Sequence, residues 1–288
     1  MFTPPTTCPN PACKHHGAPA PGWYAKKGYY RTKFDRQPVP RYRCKACGRY
    51  FGSHTGTATY RQHKPKENAL IAKLLCSGVT MRRTADLVGV TRRTLAKKLQ
   101  WLAVRARAAH AEYLKRAAYP TSYVQFDEME TYERSKLLPL SIALAVRPKT
   151  GYIMGVKVAE MNCHGRPARA SVQRYGRRQD TRRAAALSVF REVAMIAKAG
   201  LTVATDKKTA YKSLIQTALP GAAHDVHLSR KGPTGSRDPL FHLNHLCAKL
   251  RADLARLGRR SWSASKKAAC LQDHLDLYVA FNNGYWTE

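Results

Sequence analysis

Acid is what this sequence has least of. Its 288 residues include 18 Asp and Glu against 51 Lys and Arg, a formal net charge of +33. The excess is spread along the whole chain, and 44% of the residues are hydrophobic, so the charge does not signal disorder. A basic surface of that extent points to a polyanion, most simply nucleic acid, ahead of a membrane surface. Long apolar runs are also missing. None approaches the roughly 18 residues that a membrane span requires. The start, Met1 to Pro9, lacks the basic residues and apolar stretch of a signal peptide. The eight cysteines are therefore read in a reducing compartment, as metal ligands or core thiols and not as disulfides.

Four of those cysteines are spaced like ligands. Cys8 and Cys13 form one pair, and Cys44 and Cys47 form a second, tighter one in R-Y-R-C-K-A-C-G-R-Y-F. Two short cysteine turns brought together supply the four soft, tetrahedral ligands that Zn2+ prefers. Gly48 allows the second turn to close, and Tyr50 and Phe51 begin a strand. Between the pairs, the aromatic and basic stretch Trp23 to Lys33 reads as a hairpin about Gly28. The module is expected to be a zinc ribbon with structural Zn2+ on Cys8, Cys13, Cys44 and Cys47. His15 and His16 are the alternative ligands.

From Lys66 the pattern turns helical. Leu70, Leu74 and Leu75 mark a first helix that Gly78 ends. Thr80 caps a second, Gly89 turns the chain, and Thr91 caps a third with Leu95, Leu99 and Leu102 inward. Small Ala85 four residues before Gly89 suits the close crossing of a helix-turn-helix. Its third helix carries Arg92, Arg93, Lys97 and Lys98 as the expected DNA-binding face. An Ala- and Arg-rich connector, Trp101 to Tyr119, ends before Pro120.

The second half switches to strands at Tyr123–Phe126, Leu140–Val146 and Tyr152–Ala159, with R-P-K-T-G as the turn between the last two. A basic loop, Asn162–Asp180, reads as a flexible arm or surface insertion. A helix over Thr181–Ala199 leads to a fourth strand that delivers Asp206, then a helix over Ala210–Ala218 and a fifth strand over Ala222–Leu228. Helices over His242–Leu257 and Ser265–Phe281 close the chain. Three strands, a helix, a strand and a helix is the order of a ribonuclease H-like core.

In that order the first and fourth strands are neighbours, which sets Asp127 beside Asp206. The first strand breaks into Asp127, Glu128 and Glu130, a concentration of acid in an otherwise basic chain. Two carboxylates that close repel unless a cation neutralises them, and a pair of divalent ions on such acids is how an in-line phosphoryl displacement is clamped. Strand alternation turns Glu128 to the opposite face from Asp127, which leaves Glu128 and Glu130 as supporting or solvated groups.

Taken together, the cysteine pairs, the helical trio, D-E-M at Asp127–Met129, T-D-K at Thr205–Lys207 and L-A-R-L-G-R-R-S-W-S-A-S-K-K at Leu254–Lys267 resemble bacterial insertion-sequence transposases of the DDE type, close to the insertion-sequence-one kind. The resemblance covers nearly the whole chain. It implies an enzyme that binds the inverted-repeat ends of its element and cuts and rejoins double-stranded DNA with Mg2+ or Mn2+. It further implies at least a homodimer on DNA and a cytoplasmic, nucleoid-associated location. Where that family has a third carboxylate, this chain has Asn244, so the implied catalytic and metal-holding set is Asp127, Asp206 and Asn244. Asp253, His242 and His245 are the other residues on that helix able to take the place. Asp253 is nine residues beyond Asn244, about 180° round a helix, so the two cannot share a metal.

The expected fold is thus α/β: residues 1–62 a zinc ribbon, 63–119 an all-α helix-turn-helix with connector, and 120–288 a ribonuclease H-like catalytic core. Lys207, Lys208 and Arg251 are candidate phosphate contacts. A catalytically inactive, transposase-derived DNA-binding regulator is the alternative reading, and a structure-specific nuclease is a third.

Overall fold

The computed structural model describes residues 5–31, 38–116, 120–227, 238–258 and 262–285. The chain forms two compact units, Met1–Glu67 and Asn68–Glu288, and each is taken by itself.

In the smaller unit, a single turn α1 (Lys14–Gly17) precedes an antiparallel sheet of β1 (Tyr24–Arg31), β2 (Pro38–Cys44) and β3 (Tyr50–Gly52), in that order. Among the described residues its small core is Trp23, Tyr42 and Phe51 packed with Cys8, Cys13 and Cys44, the Trp23 and Phe51 rings stacked 5.2 Å apart. The hairpin expected within Trp23–Lys33 does not form there. Tyr24–Arg31 is one continuous strand whose register against β2 shifts between Lys26 and Tyr29. Gly28, with φ +76°, serves a bulge and not a turn. Lys33 lies outside the described residues.

The larger unit opens with three helices, α2 (Asn68–Leu75), α3 (Met81–Val88) and α4 (Arg92–Arg116). Their ends are set by local chemistry. The Thr80 hydroxyl accepts from the Arg83 amide at 3.3 Å, and the Thr91 hydroxyl from Thr94 at 3.1 Å. Gly89 ends α3 in the left-handed region at φ +65°. Then come β4 (Thr121–Tyr132), β5 (Pro139–Arg147), β6 (Tyr152–Glu160), α5 (Ala168–Tyr175), α6 (Arg182–Ala194), β7 (Ala197–Asp206), α7 (Ala210–Ala218), β8 (Ala223–His227), α8 (Phe241–Asp253) and α9 (Ala268–Asn282). The strands make one mixed sheet in the order β6-β5-β4-β7-β8. β4, β5 and β6 are antiparallel neighbours, while β4, β7 and β8 run parallel. This mixed α/β arrangement is compatible with a ribonuclease H-like core.

Alternation along the strands divides the packing. Val124, Phe126, Ala143 and Ala145 face α6 and α7, and Phe126 meets Phe190 and Tyr211. Met129, Ile142, Leu144 and Val146 face the opposite way, towards Leu243, Leu246 and Leu250 of α8 and Leu271, Leu275 and Tyr278 of α9. That second core also contains Ile71, Leu75, Ala85, Leu95, Leu99 and Leu102. The helical trio and the sheet therefore share one core, and α4 is no free connector: it buries Leu102, Ala103 and Ala106 and packs along α9.

Other expectations shift. Leu70 is 45% exposed, and Ile71, Ala72 and Leu75 make the buried stripe of α2. The basic stretch 162–180 is no flexible arm. It contains α5, whose Ser171 hydroxyl donates to the Leu137 carbonyl at 2.6 Å, and Arg178, which pairs with Glu160 at 3.2 Å. The helix expected to reach Ala199 ends at Ala194, because Ala197 already belongs to β7. Leu228, expected to end the fifth strand, lies outside the described residues. No described helix is long and apolar enough to cross a membrane.

Lys98 departs furthest from expectation. It was placed on the outward basic face, yet it is 3% exposed and its ammonium donates to the Asn68 side chain of α2 at 2.6 Å. Removing one partner of a buried bond to a charged group strands the other, at roughly 1–3 kcal/mol. Lys98→Ala and Asn68→Ala should each lower urea stability by that order. A double-mutant cycle should return a coupling above about 0.5 kcal/mol, while exposed Lys97→Ala should leave the midpoint unchanged.

Candidate functional site

The four N-terminal cysteines converge. Their sulfurs all lie within 4.8 Å of one another, with Cys8 to Cys47 at 3.6 Å and Cys13 to Cys44 at 3.7 Å. Ligands about 2.3 Å from a tetrahedral zinc stand about 3.8 Å apart, so the spacing fits that ion. Gly48, at φ +69°, closes the second turn, and the Arg49 backbone amide draws the Cys47 thiol down to about 6. Burial instead pushes the Cys8 thiol up to about 12. Four thiolates cannot coexist there without a cation, and Zn2+ would supply the charge. The two histidines stand outside the cluster: the His16 ring bonds the Cys8 carbonyl at 2.7 Å, and His15 lies against Trp23.

In the larger unit the acids of β4 sit inside a strand, not at its end. The antiparallel ladder with β5 continues past them, pairing Asp127 with Leu144, Glu128 with Ala143 and Glu130 with Ser141. The parallel ladder with β7 stops earlier, at Gln125 opposite Ala204. Asp127 and Asp206 each lie two residues further on, at the same level and on the face away from Val124 and Val203, which point into the α6–α7 core. α8 covers that face, held by the Gln125 side chain, which donates to the Pro239 carbonyl at 2.7 Å and accepts from the Leu243 amide at 3.0 Å.

Burial, with the charges of Asp206 and Glu128 nearby, raises the Asp127 carboxyl to about 6, against the opposing hydrogen bonds from the Glu128 amide and Tyr211. Among the described residues, no Lys, Arg or His side chain pairs with Asp127 or Asp206; Asp206 accepts from the Lys208 backbone amide at 3.2 Å, and Asp127 from the Tyr211 hydroxyl at 3.3 Å. Glu128 is tied down on the other face. It receives the Lys208 ammonium, the Tyr211 hydroxyl at 3.1 Å and the Ser141 hydroxyl at 3.1 Å. Glu130 is exposed and 4.0 Å from His164.

Asn244 lies near the start of α8. Its amide nitrogen donates to Asp238 at 2.7 Å, which leaves the side-chain oxygen as its remaining acceptor. Cys247, one turn on, is close enough to Asp127 for that charge to help raise its thiol, though burial contributes more. Asp253 points elsewhere, accepting from the Tyr278 hydroxyl at 2.6 Å. The His245 ring stacks on Phe241, 5.8 Å away, and that of His242 meets the same Phe edge-on. Among the described residues, the four cysteines are the one group of three or more His, Cys, Asp or Glu residues whose ligand atoms all converge closely enough for an ion. Of the expected DNA contacts, Arg92, Arg93 and Lys97 are exposed on the first turns of α4, and Lys98 is not.

Sequence reasoning passed over Gln125, Tyr211 and Asp238. Gln125 had a signal: it is a polar residue two before Asp127, hence on the same strand face. Tyr211 and Asp238 had none, since each acts only through a partner brought close by folding. No protein-family model matches the chain, and a search of curated proteins finds no relative.

Two outcomes follow from these clusters. The purified chain should carry about one zinc. Cys8→Ser and Cys44→Ser should each lose most of it and expose the small unit to limited proteolysis, because so slight a core depends on metal. Full zinc retention in both variants would rule the site out. At the carboxylates, a folded-state value raised to about 6 means that ionised Asp127 costs stability above pH 6 and the cost fades as pH falls towards 4. Asp127→Asn should therefore stabilise the chain near pH 7.5, without added divalent ions, by on the order of 1–3 kcal/mol. Thermal melts at pH 4.5 should show little of that gain.

Proposed function

We propose that this chain is a DNA transposase that binds the inverted-repeat ends of an insertion element and catalyses divalent-metal-dependent strand cleavage and transfer. The observation that carries this reading is the Asp127–Asp206 pair, level on adjacent parallel strands, facing α8 and unpaired in a chain of +33. The resemblance to insertion-sequence transposases, which rests in part on the same two aspartates, points the same way.

In this reading the aspartates would hold Mg2+ or Mn2+, and the Asn244 side-chain oxygen is the neutral third ligand such an ion accepts. The metal, when bound, supplies charge compensation at the scissile phosphate. Hydrolysis of one phosphodiester frees a 3'-hydroxyl, and that hydroxyl is the nucleophile for joining. Gln125 fixes the distance between α8 and the aspartates. Tyr211 donates to Asp127 at 3.3 Å and Glu128 at 3.1 Å, and Lys208 neutralises Glu128. Arg92, Arg93 and Lys97 would contact the DNA end, together with the zinc ribbon, whose Tyr50 ring lies under Arg41 at 4.3 Å.

A second reading, a DNA-binding regulator without catalysis, draws on the amide at the third position and its bond to Asp238. Inverted repeats flanking the coding sequence provide the DNA that separates the two. With Mg2+, wild type should nick that end. Asp127→Ala should lose about a thousandfold in rate, the equivalent of several kcal/mol of metal-borne stabilisation, with end binding within about threefold of wild type. Tight binding without nicking by wild type would establish the regulator.

A further inference from the structure

Between the helix-turn-helix and α9 runs a groove of about 700 Å3 that the reading above uses only at Arg92. One wall is α3 and the start of α4, with Met81, Arg83, Ala96 and Leu99. The other is the segment from Trp262 to Lys266 and the first turns of α9.

Its charge is lopsided. Arg82, Arg83, Arg92, Arg256 and Lys266 line it against Asp86 and Asp273, and Asp273 is already paired with Arg107 at 3.0 Å. On the rim Trp262 is 72% exposed, an aromatic side chain that solvent reaches beside cations. Such a pairing is what stacking platforms for unpaired bases are made of, and it accepts any base because every base has a π face.

The lining residues also carry two buried polar atoms without partners among the described residues, on His274 and on Arg256, whose Nη1 donates to the Cys270 carbonyl at 2.8 Å. His274 is 2% exposed, and its Nε2 lies 2.9 Å from the Leu75 carbonyl. A carbonyl only accepts, so Nε2 carries the hydrogen. Burial first, and the Arg256 charge second, keep the ring neutral by lowering it to about 3, and Nδ1 is then an acceptor. It is buried with no partner among the described residues, and so is the Nε donor of Arg256. A neighbouring acceptor and donor match the edge of a nucleobase, which is available only once the base has left its stack. A groove of this volume suits one or two nucleotides and is too small for a duplex.

We propose that this groove binds one unstacked nucleotide of a DNA strand, its base on Trp262 with an edge towards Arg256 and His274, and its phosphates on the surrounding arginines and Lys266. Nothing in this requires strand cleavage, so the groove and the carboxylate pair stand or fall separately.

The test titrates the full zinc-loaded chain with the pentanucleotide dT5 while following tryptophan fluorescence. Trp262→Phe serves as the blank that isolates the Trp262 signal. The ring is exposed, so its replacement leaves the fold intact, which circular dichroism checks. Wild type should show quenching that the Phe variant lacks. Trp262→Ala should weaken pentanucleotide binding by about tenfold or more, the worth of roughly 1.4 kcal/mol of stacking, and Trp262→Phe should keep it within about threefold. Affinity for a blunt duplex should change less than twofold in either variant. The proposal is overturned by absent quenching, by equal losses on pentanucleotide and duplex, by tenfold tighter binding of the ribo-pentamer, or by an acidic peptide quenching as well as dT5. Failure of nicking at inverted repeats leaves every one of these readings unchanged.

Discussion

β4 changes partners halfway along. Its first residues are laddered to parallel β7 as far as Gln125, and the rest to antiparallel β5. Where the parallel ladder stops, β7 delivers Asp206 and turns towards α7, and the ladder with β5 carries β4 on. Asp127 lies at that fork, held by a full antiparallel ladder on one side and open to Asp206 on the other. A carboxylate on a loop would be free to swing away from its neighbour. One built into a ladder is not, and the repulsion between the two acids is carried by the sheet. The Gln125 side chain then sets α8 over the same face through two hydrogen bonds to backbone, which fixes what stands opposite the pair.

The scarcity of acid gives this arrangement its meaning. With 51 cations to 18 acids, almost any carboxylate can find a partner, and several do: Glu128 with Lys208, Asp180 with Arg182, Glu160 with Arg178, and Asp273 and Asp276 with Arg107. Glu128 and Asp127 are adjacent in sequence and opposite in fate. Glu128 meets Lys208, Asp127 meets an aspartate and α8, and the Tyr211 hydroxyl reaches both, at 3.1 and 3.3 Å. Leaving the Asp127–Asp206 pair without a cation, in the most cation-rich background, costs stability that a single nearby lysine would recover.

The periodic features were legible in the sequence because periodicity is the imprint of burial. Apart from α5, the order of strands and helices in the larger unit, the leucine stripe of α8 and the caps at Thr80, Gly89 and Thr91 all follow from it. So does the opposition of Asp127 and Glu128. What could not be read depends on partners distant in sequence. The acids appear to end a strand only if one does not know that β5 runs beside them. Lys98 looks like a surface cation until Asn68, thirty residues earlier, closes over its ammonium. The chain from Lys66 to Tyr119 reads as a separate helical domain because its contacts with α8 and α9 lie more than a hundred residues away. At the cysteines, by contrast, spacing alone was enough, since each pair is a local turn.

Asn244 shows how the pair constrains its surroundings. A third carboxylate there would add a third negative charge to a face where burial already pushes Asp127 towards protonation. An amide adds an oxygen without the charge. Its nitrogen, donated to Asp238 at 2.7 Å, orients the group and spends the one end that a cation would reject. Asp238 also accepts from the Leu240 amide at 2.9 Å, in the turn that leads into α8. In the proposed site the acid on this side would orient the Asn244 amide and would not itself be a ligand, so the charge left for a metal to offset would be that of the two aspartates of the sheet.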